Sequence, residues 1–166
     1  MSDQNKLQSA LNSAYFYLKF RPRTKKEVER NLQKKSQKYG WSDETIQQAL
    51  TYLEEQKLIN DREFIQLYVE SRIKIKPKST YALRNELTKA GIAKELLDEY
   101  FAEHEQNEEA LAYEALKNRW PRYGHLDKKT RFQKAASFLT NRGFSFDTIK
   151  KTIAKYDETE YNKGDY

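Results

Sequence analysis

The run Ala90-Gly91-Ile92-Ala93-Lys94-Glu95-Leu96-Leu97-Asp98-Glu99-Tyr100-Phe101 decides how this chain folds. A glycine is followed by a large apolar residue and then a small one, and apolar side chains return six and ten positions after the glycine, at Leu97 and Phe101. The same order recurs at Gly40-Trp41-Ser42 with Ile46 and Leu50, and at Gly143-Phe144-Ser145 with Ile149 and Ile153. The three glycines lie 51 and 52 residues apart, the fixed period of a repeat protein. Each residue type has a task. Glycine tolerates the left-handed backbone that closes a helix. The bulky residue plugs the joint between two helices, and the small residue caps the helix that follows.

Working outward, apolar residues recur every three or four positions, without sustained strand-like alternation. The pattern predicts a first helix from about Lys6 to Phe20, ended by Pro22. Thr24 with Glu27 reads as a capping box that opens a second helix bearing Val28 and Leu32. Ser42 opens a third. The round then restarts, with Asp61 expected to cap a helix that fades near Lys74, and Ser79 to cap the next, with Leu83 and Leu87. A third round is expected from about Glu105 to Trp120, broken at Pro121 and resumed after Asp127, with Ser145 capping the last helix. The entry to the second helix also repeats, Arg21-Pro22-Arg23-Thr24 matching Lys76-Pro77-Lys78-Ser79. It lies 16 residues before its glycine in the first copy and 12 in the second. The difference is about one helical turn, which keeps the apolar face in register. The expected architecture is all-α: three tandem three-helix repeats over 5–59, 60–104 and 105–156, in an elongated, curved array, with 157–166 as a flexible tail.

Composition agrees. Hydrophobic residues make up 37% of the 166 and charged residues 34%, a thin apolar supply better suited to small units sharing faces than to one thick core. The chain has no cysteine, so disulfides, thiol nucleophiles and thiolate metal sites are excluded. No run approaches the roughly 18 apolar residues of a membrane span. Met1-Ser2-Asp3-Gln4-Asn5 lacks the apolar core of a secretion signal, so a cytoplasmic location is expected; a monomer is expected as well.

Four stretches carry a family resemblance: Tyr17-Leu18-Lys19-Phe20-Arg21-Pro22-Arg23-Thr24, Leu58-Ile59-Asn60-Asp61-Arg62-Glu63-Phe64, Glu86-Leu87-Thr88-Lys89-Ala90-Gly91-Ile92 and Phe138-Leu139-Thr140-Asn141-Arg142-Gly143-Phe144-Ser145. In order and spacing the chain resembles the RecX family of bacterial recombination regulators, from about Leu11 to Tyr156. That resemblance implies tandem three-helix units that bind RecA filaments, alter RecA activity and associate with DNA. Two features depart from the family pattern. Lys76-Pro77-Lys78 stands where a glycine-containing entry is expected, and four extra residues precede Gly40.

Net charge is +6 with pI ≈ 9.3, which favours nucleic acid or an acidic protein surface as partner. Residues 5–59 and 105–156 each hold 11 basic and 6 acidic side chains, while 60–104 hold eight of each. Within each repeat the cations gather where the first helix meets the second: Lys19, Arg21, Arg23, Lys25 and Lys26; Arg72, Lys74, Lys76 and Lys78; Arg119, Arg122, Lys128, Lys129 and Arg131. If the repeats stack alike, these corners form a basic stripe suited to phosphates or an acidic groove. The competing account is that cations near helix C-termini offset the helix dipole, which serves for Lys19, Arg72 and Arg119. It does not serve for Lys25, Lys26, Lys128 and Lys129, which stand at helix beginnings.

Other side chains read as structural. Tyr15, Tyr52, Tyr68 and Tyr100 fall on apolar helical faces and are expected in the core, leaving Tyr39, Tyr81 and Tyr123 as candidates to stack on bases. His104 and His125 have no partner at ligand spacing, and no phosphate-cradling glycine loop or zinc-finger spacing occurs. No catalytic, cofactor or metal site is expected. The function class is therefore a binder; the family resemblance makes it a regulator of RecA filaments, and the alternative is a helix-turn-helix type transcription regulator reading duplex DNA.

Overall fold

Each glycine segment closes its helix by the same backbone bond, and two of the three cap the next helix with a serine, Ala93 having no side-chain acceptor. Gly40, Gly91 and Gly143 take left-handed φ values of 69°, 89° and 86°. The amide of the following residue reaches back five positions, Trp41 to the Ser36 carbonyl, Ile92 to Leu87 and Phe144 to Leu139. This is the Schellman closure, in which the residue after glycine packs back on the helix. Trp41, Ile92 and Phe144 are accordingly buried. Ser42 and Ser145 then accept the amides of Thr45 and Thr148, capping the next helices as expected.

The structure is a computed structural model that describes residues 2–163. Its helices are α1 (Asp3–Leu18), α2 (Lys25–Tyr39), α3 (Asp43–Glu55), α4 (Asp61–Ile75), α5 (Thr80–Lys89), α6 (Lys94–Glu103), α7 (Glu108–Leu116), α8 (Lys128–Asn141) and α9 (Phe146–Lys163). A short 3₁₀ turn spans Trp120–Tyr123. Among the described residues there is no strand, and no helix is long and apolar enough to cross a membrane.

The described residues form two compact units, residues 2–67 with 87–100, and residues 68–86 with 101–163. The boundary runs through α4 and α5, so the middle segment contributes to both. In the first unit α1, α2 and α3 close on Ala14, Val28, Leu32, Ile46, Leu50 and Leu53. In the second, α7, α8 and α9 close on Leu116, Ala135, Leu139, Ile149 and Ile153, with Trp120 and Tyr156 stacked beside them. Burying each such leucine or isoleucine contributes about 1.5–3 kcal/mol.

Each unit contains one joint between consecutive three-helix segments. In the first unit the start of α2 sits on the α5–α6 turn. Thr24 Oγ1 donates to the Ala90 carbonyl at 2.6 Å, and the Lys25 amide donates to the Asp61 carboxylate at 2.9 Å. In the second unit the start of α5 sits on the α8–α9 turn. The Ser79 amide donates to the Arg142 carbonyl at 3.0 Å, and the Thr80 amide to the Glu108 carboxylate at 2.8 Å. In both, an acidic residue at the start of the next segment's first helix accepts an orphan amide of a helix N-terminus.

Four expectations are corrected. Asp61 does not cap α4: Asn60 does, its Oδ1 accepting from the Glu63 amide, and Asp61 is turned toward Lys25 instead. α7 stops at Leu116, short of Trp120, because the chain tightens into the 3₁₀ turn ahead of Pro121. The tail expected from residue 157 is helical through Lys163, since Arg131 pairs with Asp157 at 3.9 Å and Glu160 at 2.7 Å, and Glu160 also accepts from Trp120 Nε1. Residues 164–166 lie outside the described residues. Finally, Tyr15 and Tyr52 are exposed rather than core.

Candidate functional site

The cations singled out by sequence separate into two groups once their surroundings are known. One group holds the fold. Arg23, Arg72 and Arg131 each lie over an aromatic ring, of Tyr17, Tyr68 and Trp120, at 4.1, 4.8 and 5.2 Å. Each also meets a carboxylate, Arg23 with Glu27, Arg72 with Glu86 and Arg131 with Glu160. Arg21 reaches Glu27 at 2.6 Å, and Lys78 pairs with Glu86. Burial alone would raise the Glu27 and Glu86 carboxyls, but these cations, with the Thr24 amide and the Tyr68 hydroxyl, hold both below the usual carboxylate range.

Lys25 and Lys26 also belong to this group. Lys25 pairs with Glu54 at 2.8 Å and Lys26 with Glu29 at 2.6 Å. Gly91 lies so close to the Lys26 stem that a Cβ there would stand 2.4 Å from Lys26 Cβ. Positive charge at the start of α2 is tolerated because carboxylates answer it, and the aliphatic stem packs.

The second group is exposed with neither an ion-pair partner nor an aromatic ring among the described residues: Lys19, Lys74, Lys76, Arg122, Lys128 and Lys129. Lys19, with Arg21 and Arg23, lines a cleft of about 510 Å³ in the first unit, walled opposite by Lys57, Leu58, Asn60, Glu63, Phe64 and Leu67. Lys74 and Lys76 line a cleft of about 530 Å³ in the second unit, together with Arg119, which comes from the next segment. Arg119 lies over Phe138 at 5.2 Å, and Arg142 over the same ring at 4.8 Å. Burial, then the nearby Arg119 charge, lowers the Arg142 pKa. Arg122, Lys128 and Lys129 line neither of these clefts.

Arg142, Lys57, Phe20 and Ile75 were not singled out by sequence. Phe20 and Ile75 had a signal: each directly precedes a basic-Pro-basic triplet, where no helical face remains to bury it. Both are exposed, at 67% and 80%. The third segment's counterpart, Trp120 before Pro121, is buried.

Sequence comparison places these features in a family. Residues 10–53, 60–100 and 107–153 match the first, second and third three-helix domains of RecX. The regulatory protein RecX of Prosthecochloris aestuarii is 33% identical over 153 residues, covering 92% of this chain and 96% of its own length. The chain belongs to the RecX family. The RecX of Bacillus licheniformis is 34% identical, but this chain spans only 58% of it. In fold, the crystal structure of RecX from Lactobacillus salivarius matches with a TM-score of 0.77 at 23% identity, over 93% of this chain and 98% of that one. Membership assigns a regulatory role. Among the described residues no group of three or more His, Asp or Glu side chains is placed to share a metal ion.

Proposed function

We propose that this chain binds RecA filaments and modulates their recombinase and ATPase activity. Membership in the RecX family, whose relatives are named regulatory proteins, supports RecA as the partner that the resemblance implies. The observation that supports a binding mode is the set of junction cations with neither a carboxylate nor an aromatic ring beside them, Lys19, Lys74, Lys76, Arg122, Lys128 and Lys129. Side chains already committed to Glu27, Glu54 or Glu86 have little charge to offer a partner, whereas these six have all of theirs. Lys19, Lys74 and Lys76 meet an acidic protein surface, and Arg122, Lys128 and Lys129 are available to DNA phosphates carried by the filament. Such contacts act on subunit exchange, filament growth or access of the second duplex.

The test adds the purified chain to RecA on single-stranded DNA and follows ATP hydrolysis and strand exchange. A change in both at stoichiometric levels is expected, and no change removes the proposal. Reversing Lys74 and Lys76 to glutamate is expected to weaken filament binding while leaving the circular dichroism spectrum intact. Competition by duplexes of different sequence should show little preference, because phosphate contacts carry no sequence information.

A further inference from the structure

The exposed purely apolar residues are not scattered. Among the described residues the large ones are Phe16, Phe20, Leu58, Leu67, Ile75 and Phe146. Phe20, Leu58 and Leu67 line the first cleft, Phe16 stacks edge-on against Phe20 at 5.2 Å, and Ile75 lines the second. Only Phe146 lies elsewhere. In both clefts the apolar side chain stands at the same place in the sequence, at or just past the end of a segment's first helix and ahead of Arg21-Pro22 or Lys76-Pro77, close to an unpaired lysine, Lys19 or Lys74. Exposed apolar side chains grouped beside cations mark an interaction surface rather than ordinary solvent exposure.

We propose that each cleft seats a bulky apolar side chain from a protein segment rich in carboxylates, with Phe20 and Ile75 as the anchoring contacts. This deepens the filament-binding reading and rests on it for the partner's identity. Charge complementarity selects the occupant's acidic flanks. A nucleic acid strand fits less well, because Ile75 offers no flat ring on which a base could stack, although ring stacking is the usual way to hold unpaired bases.

The experiment uses the full chain and the double variant Phe20→Ser, Ile75→Ser, whose side chains are too exposed for their loss to unfold the protein. Binding to RecA on single-stranded DNA is measured at low and high salt. The variant is expected to lose about ten-fold in affinity at high salt, where the charge contribution is screened and an apolar anchor is not. Unchanged affinity overturns the proposal. If the wild type does not bind filaments at all, the filament reading fails and the clefts are tested alone with a labelled peptide holding one phenylalanine among glutamates. Binding about ten-fold tighter than a peptide with serine in that place supports the inference, and equal binding sinks it. Loss of oligothymidylate binding by the same double variant would make the occupant a nucleic acid and overturn it as well.

Discussion

The joint in the first unit and the joint in the second do the same work with different atoms. In each, the start of a second helix rests on the glycine turn of the next segment, and an acidic side chain accepts the first helical amide. Yet the bond to the carbonyl before the glycine comes from a hydroxyl in one, Thr24 Oγ1, and from a backbone amide in the other, that of Ser79. The acid is Asp61 in one and Glu108 in the other. Backbone geometry recurs and side chains are interchangeable, which is why the repeat is visible as spacing rather than as identity.

The largest effect is expected where the helix end beneath each joint loses its core residue. Leu87 and Leu139 are both fully buried, and each offers the carbonyl that the residue after the glycine bonds. Leu87→Ala and Leu139→Ala should each cost about 2–5 kcal/mol, read from urea unfolding. If the joints are equivalent, the two costs agree. A large difference would mean that one helix end is supported by something besides its own core.

The three glycines sharpen the comparison because only two lie in joints. A Cβ on Gly143 would stand 2.5 Å from Ser79 Oγ and 2.7 Å from Ala82 Cβ, and one on Gly91 would collide with the Lys26 stem, whereas a Cβ on Gly40 meets nothing within 4 Å. All three carry positive φ, which costs an L-residue about 1–2 kcal/mol, and overpacking adds about 1–3. Gly91→Ala and Gly143→Ala should therefore cost about 2–5 kcal/mol, and Gly40→Ala about 1–2. Equal costs for all three would show that the joints yield, and that the backbone conformation alone requires glycine.

The repeat and its helix ends were legible because their physics is local: a left-handed turn, a cap, and an apolar residue at fixed spacing. What lay beyond was tertiary. Lys25 and Lys26 looked anomalous at a helix start, because nothing in the sequence places Glu54 opposite one or Gly91 against the stem of the other. Asp61 looked like a cap, because its true partner, the Lys25 amide, is 36 positions away. The clefts were invisible for the same reason. Arg119 and Lys76 share one only because α7 packs near the α4–α5 loop, whereas Phe20 and Ile75 could have been found from their place before proline.

A smaller difference separates the two caps. Thr24 Oγ1 both accepts from the Glu27 amide and donates to Ala90, so Thr24→Val removes two bonds and should cost about 1–3 kcal/mol. Ser79→Ala removes only the cap to Ala82, since the bond across the joint comes from its backbone, and should cost about 1 kcal/mol. Equal losses in thermal unfolding would mean that the Thr24–Ala90 bond contributes nothing net.

Acid should expose the last contrast. Glu27 and Glu86 each gather cations and have pKa values lowered in the fold. A carboxylate whose folded pKa lies below its unfolded one binds fewer protons when native, so it stabilises the fold fully at neutral pH. That stability fades as pH falls through the ordinary carboxylate range to the lowered value. Glu27→Gln should flatten this loss in the first unit and Glu86→Gln in the second. Glu27 also accepts the Thr24 amide as part of its capping box, a bond that glutamine can still supply. The Glu27 variant should therefore keep its cap while losing its acid dependence. At Glu86 the partners are Lys78, Arg72 and the Tyr68 hydroxyl; each variant strands two cations, but Glu86 has no cap for glutamine to keep, so its loss at neutral pH should be the greater of the two. Unfolding curves of both variants at neutral and acid pH would show the opposite order if the Arg21 and Arg23 pairs with Glu27 were the stronger set.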